Sequence, residues 1–404
     1  MPPSPLFTLT RETEVFLVPE TTFGSLAVLS SVGVEYLRVI DNPTLNQRPD
    51  RPQDRRIRNA RSRLKELRGP QPAADFSLRS YVVPSGLLGS KPEAPTLWKA
   101  AFGSEVVTAG VKVDYKLADR PPSFSLYICR GNSVWFSRGT TLNQLRLRAP
   151  GDGEATVDWS GMAVEMRQGS EAGLVSAVVG NTFKLPASVE ANVKRAGGAT
   201  FRCVGKANRF EISNVGAVVG GLVPITIENF SGVASPADDI AAGDTIVPWR
   251  PTVAEPATSL PIHGKYASAQ VTSPDFNGGA PTAIITTDFE MTVTNNWRYY
   301  LNEQDGLSFA ERALTPAFRD VAITFNRYLR VEDVAEWVAA IERDDAALAL
   351  TLGDTAGLKL VITAPTAQFQ GPTTAGGDEV TVSSDVRPHA TLSTLNQELM
   401  ASFQ

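Results

Sequence analysis

The chain has 404 residues, 42% of them hydrophobic, and 38 basic against 43 acidic side chains leave a formal charge of −5. That is enough apolar material for cores in two or three domains, and the acidic balance argues against a surface given over as a whole to nucleic acid or anionic lipid. Two cysteines and two histidines exclude a disulfide framework and leave almost no material for a histidine-based catalytic or metal site.

The opening, MPPSPLFTLTRETEVFLVPE, has no charged segment followed by an apolar core, and no run of about 18 apolar residues occurs anywhere. The expectation is a soluble protein made in a cytoplasm, without stable membrane association. From there alternation outweighs helical periodicity. VGVEYLRVI (32–40), DFSLRSYVV (75–83), SFSLYICR (123–130), LNQLRLRA (142–149) and EATVDWSGMAVEM (154–166) place apolar residues at every second position, as strands with one buried face do. EAPTLWKAAFG is the helix of this part: Leu97, Trp98, Ala101 and Phe102 share a face, Thr96 is the expected N-cap and Gly103 the stop. Cys129 and Cys203 read as buried free thiols, one in each of two strands.

From Gly169 to about Thr258 charge is sparse, and Gly, Val and Ala dominate in short strands spaced by about ten residues, the pattern of a small β-barrel or sandwich. PWRPTVAEPATSLPIHG (248–264) reads as an extended return linker. A second block then repeats the order of the first. AIITTDFEMTVTNNW is followed by a polar loop, the strand RDVAITFNRYL, a helix with Trp337, the strand AALALTL, and a Gly-rich hairpin before the closing strands. The loop position, the helix tryptophan and the hairpin all match, so the chain reads as an internal duplication with a period of roughly 240 residues. The middle segment is expected to lie outside the duplicated core, so that deleting about 171–258 leaves assembly intact.

Chemistry finds little footing. His263 and His389 read as turn or surface residues. GDGEATVD and GGDEVTV lack the alternating ligands of a calcium loop and read as hairpin turns, and GAVVGG (216–221) does not open a helix as a phosphate-binding loop does. No enzyme, cofactor or metal is expected. The stretch 46–72 is different, carrying eight arginines and one lysine against three acids. It lacks the aromatics that stack on bases, while Ile57, Ala60, Leu64 and Leu67 have helical spacing and the arginine forks suit carboxylates across an interface. A solvated loop is the plainer reading of the same residues.

DFSLRSYVVPSG and APTLWKAAFG (75–103), SFSLYICRGNSVWFSRGTTLNQLRLRAPGDGEATVDWSGMAVE (123–165), and the pair AVVGNTFKLP and AGDTIVPWRPT together resemble the tail tube proteins, or major tail proteins, of long-tailed bacteriophages, in the type that joins two tube domains in one chain with an inserted β domain. The arm after Asn42 departs from that pattern by its length and its arginines. The resemblance implies a mainly β fold with one helix per repeat: two tandem tail-tube β-sandwich or barrel domains at 1–168 (with a basic arm, 43–72) and 263–404 (with a long loop, 298–318), and a small β-barrel with its linker at 169–262. It implies stacked homo-oligomeric rings, trimers with pseudo-sixfold symmetry, forming a hollow tube assembled in the host cytoplasm. The partners are the chain itself, other tail proteins at the tube ends, and DNA only in transit. Contacts between rings would use Arg51, Arg55, Arg56, Arg58, Arg61, Arg63, Lys65 and Arg68 of the arm, and Tyr299, Tyr300, Glu303, Asp305, Phe309 and Glu311 of the second loop. A baseplate, tail-terminator or other single-ring component, and a DNA-binding protein using the arm, remain the alternatives.

Overall fold

The computed structural model describes residues 13–24, 33–48, 71–131, 133–169, 173–190, 200–206, 209–231, 240–251, 253, 255, 260–273, 279–301, 312–315, 317–330, 338, 341–342, 345–376 and 379–404. It is mainly β, with antiparallel pairing throughout and one described α-helix of full length.

In the first half β1 (Thr13–Pro19) lies between β2 (Glu35–Leu37) and β7 (Phe124–Arg130). β7 pairs with the early half of β8 (Ser133–Pro150), and the late half of β8 pairs with β9 (Thr156–Ala163). The sheet then runs through β4 (Ala74–Tyr81) to β3 (Thr44–Asn46). In the second half β18 (Ala267–Thr272) lies between β19 (Thr282–Ile284) and β24 (Ala346–Leu352). β24 pairs with β25 (Leu360–Phe369), β25 with β27 (Val380–Pro388), β27 with β23 (Asp320–Tyr328), and β23 with β20 (Asp288–Thr294). The six pairings recur in the same order. β10 (Glu165–Gly169) lies on the early half of β8, as β28 (Met400–Phe403) does on β25, and β26 (Thr373–Gly376) continues the line of β25 along β27. A short ribbon of β21 (Arg298–Tyr300) and β22 (Arg312–Leu314) stands apart.

The helix α1 (Pro95–Phe102) begins two residues earlier than the spacing suggests. Ala94 precedes it in the left-handed region, Pro95 takes the first position, where a missing N–H costs nothing, and Thr96 lies inside the first turn. The capping oxygen comes from another strand: Glu35 of β2 accepts from the Thr96 amide at 3.0 Å and from its hydroxyl at 2.6 Å. Gly103 ends the helix as expected, at φ 110°, where a Cβ would meet the Cβ of Ala118 at 2.7 Å. The hairpin β5 (Gly103–Thr108) and β6 (Lys112–Leu117) follows. Of the second expected helix only Val338, Ile341 and Glu342 are described, and they are helical; Trp337 lies outside the described residues.

The strand expected over 32–40 is shorter, because beyond Leu37 the chain turns to other partners. The Arg38 amide and guanidinium both donate to Glu93, and the Ile40 amide donates to the Arg79 carbonyl.

The middle segment forms a separate sheet of seven strands: β11 (Gly173–Leu174), β12 (Ala177–Val179), β13 (Thr182–Pro186), β14 (Thr200–Cys203), β15 (Arg209–Val215), β16 (Leu222–Ser231) and β17 (Thr245–Pro248), in the order β11-β17-β14-β15-β16-β13-β12. Gly216–Gly221 forms the turn between β15 and β16, and the expected thiols, Cys129 in β7 and Cys203 in β14, are buried and joined in no disulfide.

Two cores result. The larger draws on both halves, from Leu17, Phe76, Trp98 and Trp159 to Phe289, Phe325, Leu350 and Phe403. The smaller joins Phe183, Phe201, Phe210 and Ile225 of the middle sheet to Phe16, Val18, Tyr127 and Phe136. β7 is therefore buried on both faces, with Leu126 and Ile128 in one core and Tyr127 and Cys129 in the other, which is why its four residues Leu126–Cys129 are apolar without a break rather than alternating. The middle segment takes no part in the larger core, the one the two halves share, and covers the reverse face of β1, β7 and β8.

Candidate assembly edges

Eight strands form one continuous run, β3-β4-β9-β8-β20-β23-β27-β26, that crosses from the first half to the second at β8 and β20. Period-two patterning divides its faces. Leu78, Trp159, Leu147, Met291, Phe325 and Val386 point into the core. On the opposite face Arg79, Arg146, Arg148 and Arg387 stand against Asp75, Asp158, Asp288, Glu290, Asp320 and Asp385, four basic groups to six acidic ones.

The crossing is a seven-residue antiparallel ladder, Gln144–Pro150 against Asp288–Thr294. Glu290 receives Arg146 at 2.5 Å and Arg148 at 3.4 Å, and Asp158 receives Arg148 at 3.7 Å and Arg79 at 3.3 Å. These side chains are about a third exposed, so each pair contributes at most about 1 kcal/mol; their larger effect is to keep arginines on this face engaged with carboxylates. At the end of the ladder the Asn295 amide group donates to the carbonyls of Ala101 and Leu142 at 3.0 and 3.2 Å, and the Trp297 amide donates to Asn143 at 2.9 Å.

A second joint lies between β6 and β28, four residues each. Ser402 donates to the buried Asp114 at 2.6 Å, and Phe403 enters the aromatic cluster of Trp98, Tyr115 and Trp159, its ring 5.2 Å from that of Trp98.

The base of the basic arm is held at one point. Gln47 donates to the Pro72 carbonyl at 2.7 Å and accepts from Gln71 at 2.6 Å and from the Met166 amide at 2.9 Å. The arm residues Arg51, Arg55, Arg56, Arg58, Arg61, Arg63, Lys65 and Arg68 lie outside the described residues, as do Glu303, Asp305, Phe309 and Glu311. Of the second loop, Tyr299 turns inward. Its hydroxyl lies 2.7 Å from the Gly139 carbonyl and 3.0 Å from that of Met162, which share its one proton, and 2.9 Å from the Thr141 hydroxyl, and burial pushes its phenol above the ordinary value. Tyr300 is exposed. Both loops thus leave from the same end of the sheet, one beside Met166 and the other beside Met162.

Composition alone does not point to Arg146, Arg148, Glu290 and Asn295. The signal available is the charged alternation in LRLRA, which marks the strand but not its partner. Two edges of the eight-strand run end without a further strand among the described residues: β3, where Thr44 and Asn46 are exposed, and β26, exposed at all four positions. Among the same residues no helix is long and apolar enough to cross a membrane. Residues 10–228 match a family model described as phage tail tube protein, a span that runs through the first half and on into β16 of the middle sheet. No curated protein matches the chain.

Proposed function

The chain belongs to the phage tail tube protein family, and we propose that it is a structural virion subunit, three copies of which close a pseudo-sixfold ring that stacks into the hollow tail tube conducting DNA. The observation that carries this reading is the repeated order of six strand pairings, with the two halves joined edge to edge in one sheet. Each half stands as one tail-tube domain, at 1–168 and 263–404, and 169–262 as an inserted domain that covers the outer side of the first.

Each half contributes four strands to the eight-strand run, so three chains supply roughly 24, more than the barrels of about 16–18 strands that already enclose an aqueous channel. At about 4.8 Å per strand the circumference is roughly 115 Å and the diameter at least about 37 Å, before strand tilt widens it. The apolar face is taken up by the core, which leaves the polar face for the lumen. Its excess of acids, and the pairing of Arg79, Arg146 and Arg148 with carboxylates, suit a surface that DNA must pass without being held, since free arginines would bind phosphate at every ring.

Native mass spectrometry and negative-stain imaging of the purified protein test this. The expected result is rings of three chains showing six similar lobes, and stacked tubes. Rings of six full-length chains would overturn the trimer, and rings that never stack would point to a single-ring tail component.

A further inference from the structure

Within the eight-strand run one chain contains a single crossing between its halves, β8 with β20, and leaves the complementary edges β3 and β26 without a further strand among the described residues; the crossing it contains sets the register for the one it lacks. The two halves correspond residue by residue through their pairings. FSLRSY of β4 matches ITFNRY of β23, so Ser77 corresponds to Thr324, and their neighbours on one side, Thr44 and Glu290, correspond in turn. On the other side Ser77 faces Ser160 and Thr324 faces Asp385. Two and four residues back from these, Asp158 and Thr156 correspond to Ser383 and Thr381. Their partners are Arg146 and Arg148 in β8, and Thr373 and Ala375 in β26.

Within the chain Arg148 lies opposite Glu290 and Arg146 opposite Thr292. We propose that β26 of one chain adds antiparallel to β3 of a second copy in the corresponding register, Ala375 opposite Thr44 and Thr373 opposite Asn46. This rests on the ring reading and specifies which edges close the ring. Both edges are exposed and uncharged, and an unprotected edge of this kind is a ready template for another strand. Because the two edges differ, the contact is head-to-tail, the kind that closes a ring when the rotation allows.

The chain-to-chain seam differs from the internal one in two ways. Arg148 and Glu290 are replaced by Ala375 and Thr44, so ring closure lacks the ion pairs of the internal joint. The hairpin β5–β6, which covers the outer edge of β28, has no counterpart in the second half, because the few residues from Glu342 to the start of β24 at Ala346 cannot form one. The outer edge of β10 therefore receives no such strand from the neighbouring chain, and the seam between chains is the smaller of the two.

Paired cysteines test the register. Thr44, Asn46, Thr373 and Ala375 are exposed, and native Cys129 and Cys203 are buried, so the added thiols are the ones that react. Opposed residues in an antiparallel pair have Cα atoms about 4.5–5.5 Å apart, within disulfide range, whereas a two-residue offset exceeds about 7 Å. Two matched variants, Thr373→Cys with Asn46→Cys and Ala375→Cys with Thr44→Cys, are compared after oxidation with the offset variant Thr373→Cys with Thr44→Cys. Every sample is also imaged. The expected result is covalent trimer as the end product of both matched variants, roughly tenfold more than for the offset one. Normal rings without matched cross-links, or with equal cross-linking of the offset variant, would overturn this register and leave the ring reading standing. If none of the variants, nor the unmodified protein, forms rings, both fall.

Discussion

Glu35 shows how much one side chain can owe to strands far from it in sequence. Its carboxylate caps α1 through Thr96, yet burial pushes its pKa from 4.5 up to about 7, with Thr96 and Lys91 pulling down and Glu105 pushing up. Because the folded state holds this proton more tightly than the unfolded chain, the contribution to stability is full below the unfolded value of 4.5 and is lost as pH rises through about 7. Thermal unfolding should therefore fall by a few degrees between about pH 5 and pH 8. The Glu35→Gln variant, which keeps an acceptor for the Thr96 amide but cannot ionise, should flatten that slope. An identical slope in the variant would assign the dependence to other groups. Cys129 is the contrasting case: burial raises its thiol to about 12, so it packs as a small apolar group and stays unreactive.

Elements buried on both faces tie the middle sheet to the first half. Removing 171–258 uncovers Phe16, Val18, Tyr127 and Phe136, whose reverse-face partners are Phe183, Phe201 and Phe210. Burying each large apolar side chain contributes about 1.5–3 kcal/mol, so their combined loss is comparable to the whole stability of a typical domain, about 5–15 kcal/mol. The expected outcome is an insoluble or dye-binding product rather than a tube-forming one, read by yield and by binding of a hydrophobic dye. A soluble deletion variant that unfolds cooperatively at the parent's temperature would show that the first half needs no cover.

On the scale of the whole molecule the proposed assembly uses two kinds of contact. Ring closure, through strand edges without ion pairs, should be nearly indifferent to salt. Ring stacking, if the arm mediates it, should not. The described bases of the two loops lie at one end of the sheet; in the stacked-ring assembly proposed above that end faces one neighbouring ring, and pairs of about 0.2–1 kcal/mol repeated around an axis add to a firm joint. Replacing Arg55, Arg56, Arg58 and Arg61 with Ser should therefore leave rings intact while shortening or abolishing tubes, more so at high salt, with DNA affinity nearly unchanged. Normal tubes together with lost DNA binding would assign the arm to DNA instead.

The strands, the Trp98 helix and the buried thiols could be read from the chain because alternation and turn chemistry are local, with a period of two set by the pleat. Partners were a different matter. That Glu35 rather than Thr96 caps α1, that Arg146 and Arg148 meet Glu290, and that Phe403 completes the cluster around Trp98 depend on contacts spanning 61, 144 and hundreds of residues. An alternating strand states which face is buried, but an edge accepts any strand of suitable pattern. Only packing both halves into one core selected β20 for β8, placed the middle sheet on the reverse face of β7, and left β3 and β26 without a further strand among the described residues.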